Sequence, residues 1–236
     1  MIRRVSVPWT GAEAADRPPV RLLAVSDEPE RGLEFERNRE LIGRVDAVVG
    51  CGDLEPDYLN FLADAFRVPL LYVRGNHDRG VNWQATSELL PDALAGRSDE
   101  VPGIGIVGLS WPGGTRNPRA ERDEQAAWRQ VVPLAFRRPR QRPLIVASHV
   151  PPKGLGDTPE DHYHRGFAAY EWLCRRLHPT LWLHGHTSMA AAREWRVTWG
   201  ETTFVNVTGA VVVDVGVPNA PEAASIPSAA GGEDTP

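Results

Sequence analysis

Short apolar runs in this sequence are followed, one after another, by side chains that can bind a metal ion. The runs LLAVS, VVGCG and LLYVRG precede Asp27, Asp53 and Asn76, and the later runs LIVAS and LWLHG precede His149 and His186. In sheets of parallel strands, ligands bind beyond the carboxyl ends of the strands, which is where these residues fall. The sequence therefore predicts an α/β domain whose functional residues gather at one edge of a sheet.

Segments with the three- and four-residue spacing of amphipathic helices separate these runs. Helices are predicted over residues 33–44, 56–66, 119–136 and 167–177. Strands are predicted over residues 2–7, 20–25, 47–49, 70–73, 104–109, 144–147, 180–183, 203–207 and 211–215. The chain after residue 192 shows a strand pattern without helices, which predicts a second, more antiparallel sheet packed on the first.

The chain length is that of one large domain with short flanks. Its 236 residues, of which 42% are hydrophobic and 24% charged, are typical of a soluble globular protein. We predict an N-terminal strand and connector over residues 1–19, a main domain over residues 20–216, and a disordered tail rich in Pro and Ala over residues 217–236.

Composition excludes several classes of protein. No apolar run approaches the ~20 residues needed to cross a bilayer, and the start MIRRVSVPWTG lacks the apolar segment of a secretion signal. Cys51 and Cys174 are too few for a disulfide framework or a cysteine zinc site, which favours a reducing, cytoplasmic setting. The net charge of −5 argues against general nucleic-acid binding.

The candidate residues form a donor set of carboxylate, amide and imidazole groups. Such nitrogen and oxygen donors, without thiolates, suit manganese, iron, zinc or nickel. Glycines at positions 50, 52, 75 and 185 allow sharp turns and leave room for an ion at the strand ends. We therefore expect a divalent metal ion there. The alternative is that these residues only cap strand ends and form turns.

The complete ordered series resembles the calcineurin-like metallophosphoesterases. The resemblance covers residues 20–215 and is carried by Asp27, Gly52-Asp53, Gly75-Asn76-His77-Asp78, His149 in SHVPP, and Gly185-His186. It implies a four-layer α-β-β-α sandwich built of two mixed sheets. It also implies that the domain over residues 20–216 is a catalytic domain that hydrolyses phosphoesters.

The resemblance implies two metal ions that share the carboxylate of Asp53. One ion would be completed by Asn76, His149 and His186, all of which are present. We therefore expect one strong metal site.

The second ion would keep Asp27 but lose two imidazoles, because Pro29 and Ser188 stand where the family has histidines. Three explanations are open. Glu28 or Glu30 supplies replacement oxygens, which would favour Mn or Mg; a second metal binds weakly through Asp27 and water; or the protein works with one metal. We favour a weakened second site, because Asp27 would otherwise face another carboxylate without a compensating cation.

The resemblance and general chemistry together predict a mechanism. A metal-bound hydroxide would attack the phosphoester while the ions neutralise the phosphoryl oxygens. His77 would stabilise the transition state and protonate the leaving alkoxide, and Asp78 would fix its tautomer. Asn206, which follows a strand in FVNVTG, would orient a metal ligand from behind.

The loop over residues 150–166 is long and polar, which is typical of a lid or a substrate wall. Lys153, His164 and Arg165 are its candidate substrate contacts, and the alternative is a solvated loop. Elsewhere Trp83, Trp111 and Trp182 have rings that can stack on a base, although large aromatics in a domain of this size usually lie in the core.

We predict a metal-dependent phosphoric ester hydrolase, and a phosphodiesterase rather than a monoesterase, because the sequence shows no extended surface for recognising a phosphoprotein. A divalent ion, which is manganese, iron, zinc or nickel, is the expected cofactor, and a small phosphorylated molecule such as a nucleotide is the expected substrate. The alternative is a catalytically weakened relative that binds a nucleotide or metal as a regulatory module. The substitutions at Pro29 and Ser188 favour this alternative, whereas the retained His77 opposes it.

Overall fold

The structure is a computed structural model that describes residues 2–9, 17–79, 81–101, 103–113, 123–137, 143–187 and 194–217. Ser188 lies outside the described residues, as does the predicted tail beyond residue 217. Among the described helices, none is both long and apolar enough to cross a membrane.

The described residues form strands and helices in mixed order along the chain. The strands are β1 (Arg3–Val7), β2 (Val20–Ser26), β3 (Ala47–Gly50), β4 (Leu70–Tyr72), β5 (Arg97–Val101), β6 (Ile104–Leu109), β7 (Leu144–Ser148), β8 (Leu181–His184), β9 (Arg196–Trp199), β10 (Thr202–Asn206) and β11 (Gly209–Val215). The α-helices are α1 (Glu36–Ile42), α2 (Pro56–Phe66), α3 (Val81–Thr86), α4 (Glu124–Arg137) and α5 (Ala168–Leu177).

The strands form two mixed sheets. One has the order β1-β11-β2-β3-β4, in which β11 runs antiparallel to β2 and the other neighbours are parallel. The other has the order β5-β6-β7-β8-β10-β9, in which the edge strands β5 and β9 are antiparallel to their neighbours and the remaining pairs are parallel. The strands after residue 192 do not form a sheet of their own, because β9 and β10 extend the second sheet while β11 returns to the first.

The two-residue period of the strands separates the core into layers. In β2, Leu22 and Ala24 belong to the apolar cluster between the two sheets, whereas Leu23 and Val25 belong to the cluster that α1 and α2 cover. In β8, Leu183 points between the sheets.

On the outer face of the second sheet, Trp182 packs in a third apolar cluster together with residues of α4 and α5, such as Leu134 and Leu173. Three apolar layers therefore separate four layers of secondary structure. This arrangement confirms the predicted α-β-β-α sandwich.

Three elements were not predicted individually from the sequence pattern. Strand β9 is an edge strand of four residues in which none is fully buried, although a strand pattern was expected in this part of the chain. Strand β5, RSDEV, is an edge strand that pairs with β6 alone among the described strands and carries mostly polar residues, so it shows no apolar period. Helix α3 is six residues long, too short for a clear helical repeat. Helix α1 also begins later than predicted, because a 3-10 turn over Arg31–Glu34 precedes it.

Candidate metal centre

The structure brings together the five side chains that the strand-end pattern predicted as ligands. Asp27, Asp53 and Asn76 follow β2, β3 and β4 of the first sheet, and His149 and His186 follow β7 and β8 of the second. The loops of both sheets meet here, because the backbone N–H of His186 donates to the Asp27 carboxylate at 3.0 and 3.1 Å. The site is thus assembled across the two sheets.

His149 lies at the centre of this group and is fully buried. Its Nδ1 lies 3.0 Å from the carbonyl oxygen of Cys51. A carbonyl oxygen only accepts hydrogen bonds, so Nδ1 is the nitrogen that carries the proton in the neutral ring. Nε2 then presents a lone pair toward Asn76 Oδ1 at 2.9 Å and Asp53 Oδ2 at 3.2 Å.

His186 adds a fourth acceptor to this arrangement. Its Nε2 lies 2.7 Å from the carbonyl oxygen of Tyr163, which fixes the proton on Nε2 and leaves a lone pair on Nδ1. Nδ1 lies 3.1 Å from Nε2 of His149. The three separations from Nε2 of His149, 2.9 Å to Asn76, 3.1 Å to His186 and 3.2 Å to Asp53, are close to those between neighbouring ligands on an ion with bonds of about 2.1 Å. We call these four atoms the four-acceptor group. The residues present fit a divalent metal ion.

The electrostatics of His149 show the same need for a cation. Burial alone lowers the pKa of this imidazole, but the charges of Asp53 and Asp27 and the hydrogen bonds to Asp53 and Cys51 outweigh it and raise the pKa to about 9. In the metal-free protein a proton on His149 therefore takes the place of the ion. By contrast, burial and the neighbouring His149 lower the pKa of His186 to about 3.

Asp53 is held as a carboxylate. Its burial opposes ionisation, but the charge and hydrogen bond of His149 and the backbone N–H of His77 outweigh it and hold the pKa below its ordinary value. Asp53, Asp27 and His149 each offer a donor atom, and these atoms lie within 4.8 Å of one another. Asp53 thus belongs to the four-acceptor group and also lies within reach of Asp27.

The carboxylate of Asp27 accepts hydrogen bonds from other residues of the protein. Besides the N–H of His186, its Oδ2 accepts the hydroxyl of Thr208 at 3.2 Å. The predicted replacement ligands do not join it. Glu30 uses Oε1 to accept the N–H of Gly32 at 3.1 Å and so caps the 3-10 turn, while the side chain of Glu28 is exposed.

The backbone is strained at three of the ligand positions. Asp27, Asp53 and His186 have φ angles of 61°, 57° and 67°, in the left-handed region that non-glycine residues rarely adopt. Strain of this kind persists only where surrounding contacts impose it, and it concentrates at functional sites. At Gly75 a Cβ atom would lie 2.1 Å from Asp53 Oδ1, so a glycine is required for this close approach.

His77 and Asp78 both lie beside the ligands, but the His77 side chain is exposed whereas that of Asp78 is buried. The His77 side chain is 80% exposed and its Nε2 lies 4.0 Å from Asp53 Oδ2. Asp78 is buried, and its Oδ2 accepts the backbone N–H groups of Asp53 at 2.9 Å and Gly75 at 2.7 Å. Asp78 therefore ties the loops after β3 and β4 together. This corrects the prediction that Asp78 fixes the tautomer of His77.

The environment of Asp78 also changes its acidity. Burial and the nearby charge of Asp53 raise the pKa of Asp78 to about 6, although the two backbone N–H groups act in the opposite direction.

Asn206 supports the centre from behind, as the sequence predicted in outline. Its Nδ2 donates to the carbonyl of Thr187 at 2.7 Å, and its Oδ1 accepts the N–H of Thr208 at 2.9 Å. These bonds hold Thr187, which follows His186 in the chain, and Thr208, whose hydroxyl donates to Asp27. The contribution of Thr208 was missed, although it follows the run FVNV in the same strand-end pattern.

The loop over residues 150–166 lies partly against the centre. The ring of His164 is centred 5.0 Å from that of His186, and its Nδ1 is bonded to Asp161. Lys153 and Arg165 are exposed, and Arg165 directs its guanidinium to the carbonyl of Pro159. Nothing in the sequence indicates the role of the Tyr163 carbonyl in this loop, because a backbone contact leaves no trace in residue type.

Comparison with known proteins identifies relatives of this architecture. Residues 34–189 match the profile of the calcineurin-like phosphoesterase family. The protein TT1561 of Thermus thermophilus aligns with a TM-score of 0.58 and 15% identity over 81% of this chain and 90% of its own. A dimetal phosphatase from Danio rerio aligns with a TM-score of 0.54 and 14% identity over 80% of this chain and 87% of its own. No curated protein sequence matches the chain significantly.

The substitution Gly185→Ala tests whether the close packing of the strand-end loops builds the centre. A Cβ atom at this position would lie 2.0 Å from Ser26 Oγ and 2.1 Å from Asp27 Oδ2, so the backbone must move and carry His186 with it. We expect the affinity for Mn²⁺, measured by calorimetric titration, to fall by about tenfold or more.

Gly200→Ala is the matched control. Gly200 has a φ of 58°, but no heavy atom of the described residues lies within 4 Å of an added Cβ, so this variant carries backbone strain of about 1 kcal/mol without a clash. It should bind Mn²⁺ as the unmodified protein does. Equal Mn²⁺ affinities for the two variants would contradict the packing argument.

Proposed function

Because this chain belongs to the calcineurin-like phosphoesterase family, whose members are metal-dependent phosphoester hydrolases, we propose that it hydrolyses phosphodiesters. The observation that carries the proposal is the convergence of three acceptor atoms on Nε2 of His149 at the carboxyl ends of the strands. A cluster of lone pairs without a donor among them is costly unless a cation is bound.

We assign a strongly bound ion to Asp53, Asn76, His149 and His186. A second, weaker ion is assigned to Asp27 and the shared Asp53. Among the described residues, His149 is the only other His, Cys, Asp or Glu side chain grouped with these two carboxylates, and it is assigned to the strong ion. The carboxylate of Asp27 also already accepts hydrogen bonds from His186 and Thr208, which reduces its capacity to hold an ion.

Manganese is the ion we propose, with iron, zinc and nickel as other ions that suit the donors. The four-acceptor group consists of one carboxylate oxygen, one amide oxygen and two imidazole nitrogens. This donor set is of hard to borderline character, and Cys51, although adjacent, contributes its carbonyl to His149 and keeps a buried thiol.

Asp53, Asn76, His149 and His186 would hold a divalent ion, which would supply activation of water as a nucleophile and compensation of the negative charge of the phosphoryl oxygens. The chain's own residues supply the remaining functions. His77 is the group we propose to protonate the leaving oxygen, because its imidazole is exposed to an incoming substrate and stands 4.0 Å from the Asp53 carboxylate. The backbone N–H of His77, which donates to Asp53 Oδ1 at 2.8 Å, anchors it there.

The substrate is proposed to be a diester rather than a monoester. A phosphodiester carries one negative charge and a monoester carries close to two at neutral pH, so a centre with one strong ion suits the diester. Lys153, His164 and Arg165 are proposed contacts for the rest of a small substrate, since His164 packs at the rim and the other two are exposed on the same loop.

Hydrolysis of bis-(p-nitrophenyl) phosphate tests the proposal. Metal-stripped protein titrated with Mn²⁺ should show saturable turnover, and Asn76→Ala should lower turnover at subsaturating Mn²⁺ by about 100-fold, because it removes one donor of the strong site. Asn60→Ala, on helix α2, removes an amide of the same size outside the centre and should leave turnover intact. Absence of turnover with every divalent ion, in protein that still binds one, would favour the regulatory binding module instead.

Replacing His77 separates proton transfer from metal binding. His77→Ala keeps the backbone N–H that bonds Asp53, so the affinity for Mn²⁺ should stay within about threefold, while kcat should fall by about 100-fold or more. His178→Asn, which removes an exposed imidazole at the end of α5 and tolerates its φ of 48°, serves as the control. Unchanged kcat in His77→Ala would show that another group protonates the leaving oxygen.

A further inference from the structure

A cavity of about 460 Å³ opens beside the candidate metal centre. Gly75 and Asp78, which adjoin the centre, line it together with Gln130 of helix α4. Trp111 also forms part of its wall, and the centre of the Trp111 ring lies 5.7 Å from that of His186. A substrate whose phosphate reaches the centre would therefore place its neighbouring group at this cavity.

Three residues of the cavity lining each carry a buried polar atom that makes no hydrogen bond within the part of the chain that the structure describes. These atoms are Nε of Arg74, Nε1 of Trp111 and Oε1 of Gln130. Buried polar atoms in folded proteins are nearly always paired, so an unpaired one calls for an explanation. Two donors and one acceptor at one cavity indicate a missing ligand with the complementary groups.

The orientation of these groups is fixed by the protein. Nε2 of Gln130 donates to the carbonyl of Ser110 at 2.9 Å, so the amide oxygen must be the atom left unpaired. The backbone N–H of Arg74 donates to Ser110 Oγ at 3.0 Å, and its guanidinium lies over the ring of Trp83 at 4.7 Å. The unpaired groups are therefore held in place before any ligand binds.

The charges of the lining argue against a second anionic group. Arg74 and Arg79 supply two positive charges, and Asp78 and Asp92 supply two negative ones. A balanced lining offers no net attraction to another phosphate. It favours a neutral group that has its own donors and acceptors, and the flat Trp111 ring in the wall suits a planar group.

We propose that this cavity binds the nucleobase of a nucleotide phosphodiester. An N–H of the base donates to Oε1 of Gln130, and a carbonyl oxygen or ring nitrogen beside it accepts from Nε of Arg74 or Nε1 of Trp111. The inference rests on the proposed function, because the phosphate must lie at the metal centre for the base to reach the cavity. It identifies nucleotide phosphodiesters as the class of substrate that the proposed phosphodiesterase hydrolyses.

Calorimetric titration of the Mn²⁺-loaded protein tests the inference. The probes are guanosine, uridine and adenosine 5′-monophosphates and, as a probe with the same phosphate and sugar but no base, ribose 5-phosphate. At least one nucleotide should bind tenfold or more tightly than ribose 5-phosphate. Equal affinity of all four probes for the unmodified protein would overturn the inference without any variant.

The variant Gln130→Leu removes the acceptor and should reduce the preference for the nucleotide over ribose 5-phosphate by about tenfold. Gln125→Leu, at an exposed position of the same helix, makes the same change outside the cavity and should keep the preference. A preference that survives in Gln130→Leu would overturn the assignment of this cavity.

The base pocket and the proposed activity can fail separately. Mn²⁺-dependent hydrolysis of bis-(p-nitrophenyl) phosphate together with equal binding of all probes would overturn the base pocket and leave the phosphodiesterase proposal standing. A preference for nucleotides without any hydrolysis would support the pocket and count against the proposed activity.

Discussion

Lone pairs that face one another around His149 are the constraint on which the rest of this structure depends. Nε2 of this buried ring meets acceptor atoms of Asp53, Asn76 and His186 at 2.9 to 3.2 Å, and none of them carries a proton to share when the ring is neutral. The carbonyl of Cys51 enforces this state by occupying Nδ1. Such a group is stable only with a cation, which is a proton in the metal-free protein and a divalent ion in the functional one.

The surrounding fold supplies what this convergence requires. The two sheets bring their carboxyl ends to one edge, and Asp27 joins them by accepting the N–H of His186. The buried carboxylate of Asp78 joins the loops after β3 and β4 through the N–H groups of Asp53 and Gly75. Left-handed backbone at Asp27, Asp53 and His186 is the strain that accompanies this arrangement. The sandwich therefore acts as a rigid frame that holds these loops against one another.

The strand-end pattern was sufficient to predict the sandwich and the gathering of the ligands, because the apolar period of strands determines which sheet edge a following residue occupies. It could not predict contacts that involve the backbone. Residue type does not reveal that the carbonyl of Tyr163 orients His186, or that Asp78 bonds amide groups rather than His77. It also could not exclude Glu30 as a ligand, since only the fold shows that this carboxylate caps a turn. Edge strand β5 was missed for a related reason, because a strand of mostly polar residues has no apolar period.

Binding of Mn²⁺ to metal-stripped protein, followed by electron paramagnetic resonance at pH 8 and pH 6, tests the central claim most directly. Because the pKa of His149 is raised to about 9, its proton must leave before the ion can bind, so affinity should fall as the pH falls. We predict one tightly bound ion per chain, a second bound at least tenfold more weakly, and a loss of affinity at the tight site that approaches 100-fold between the two pH values, about tenfold per pH unit. Two ions of equal affinity, or a tight site indifferent to pH, would contradict this claim.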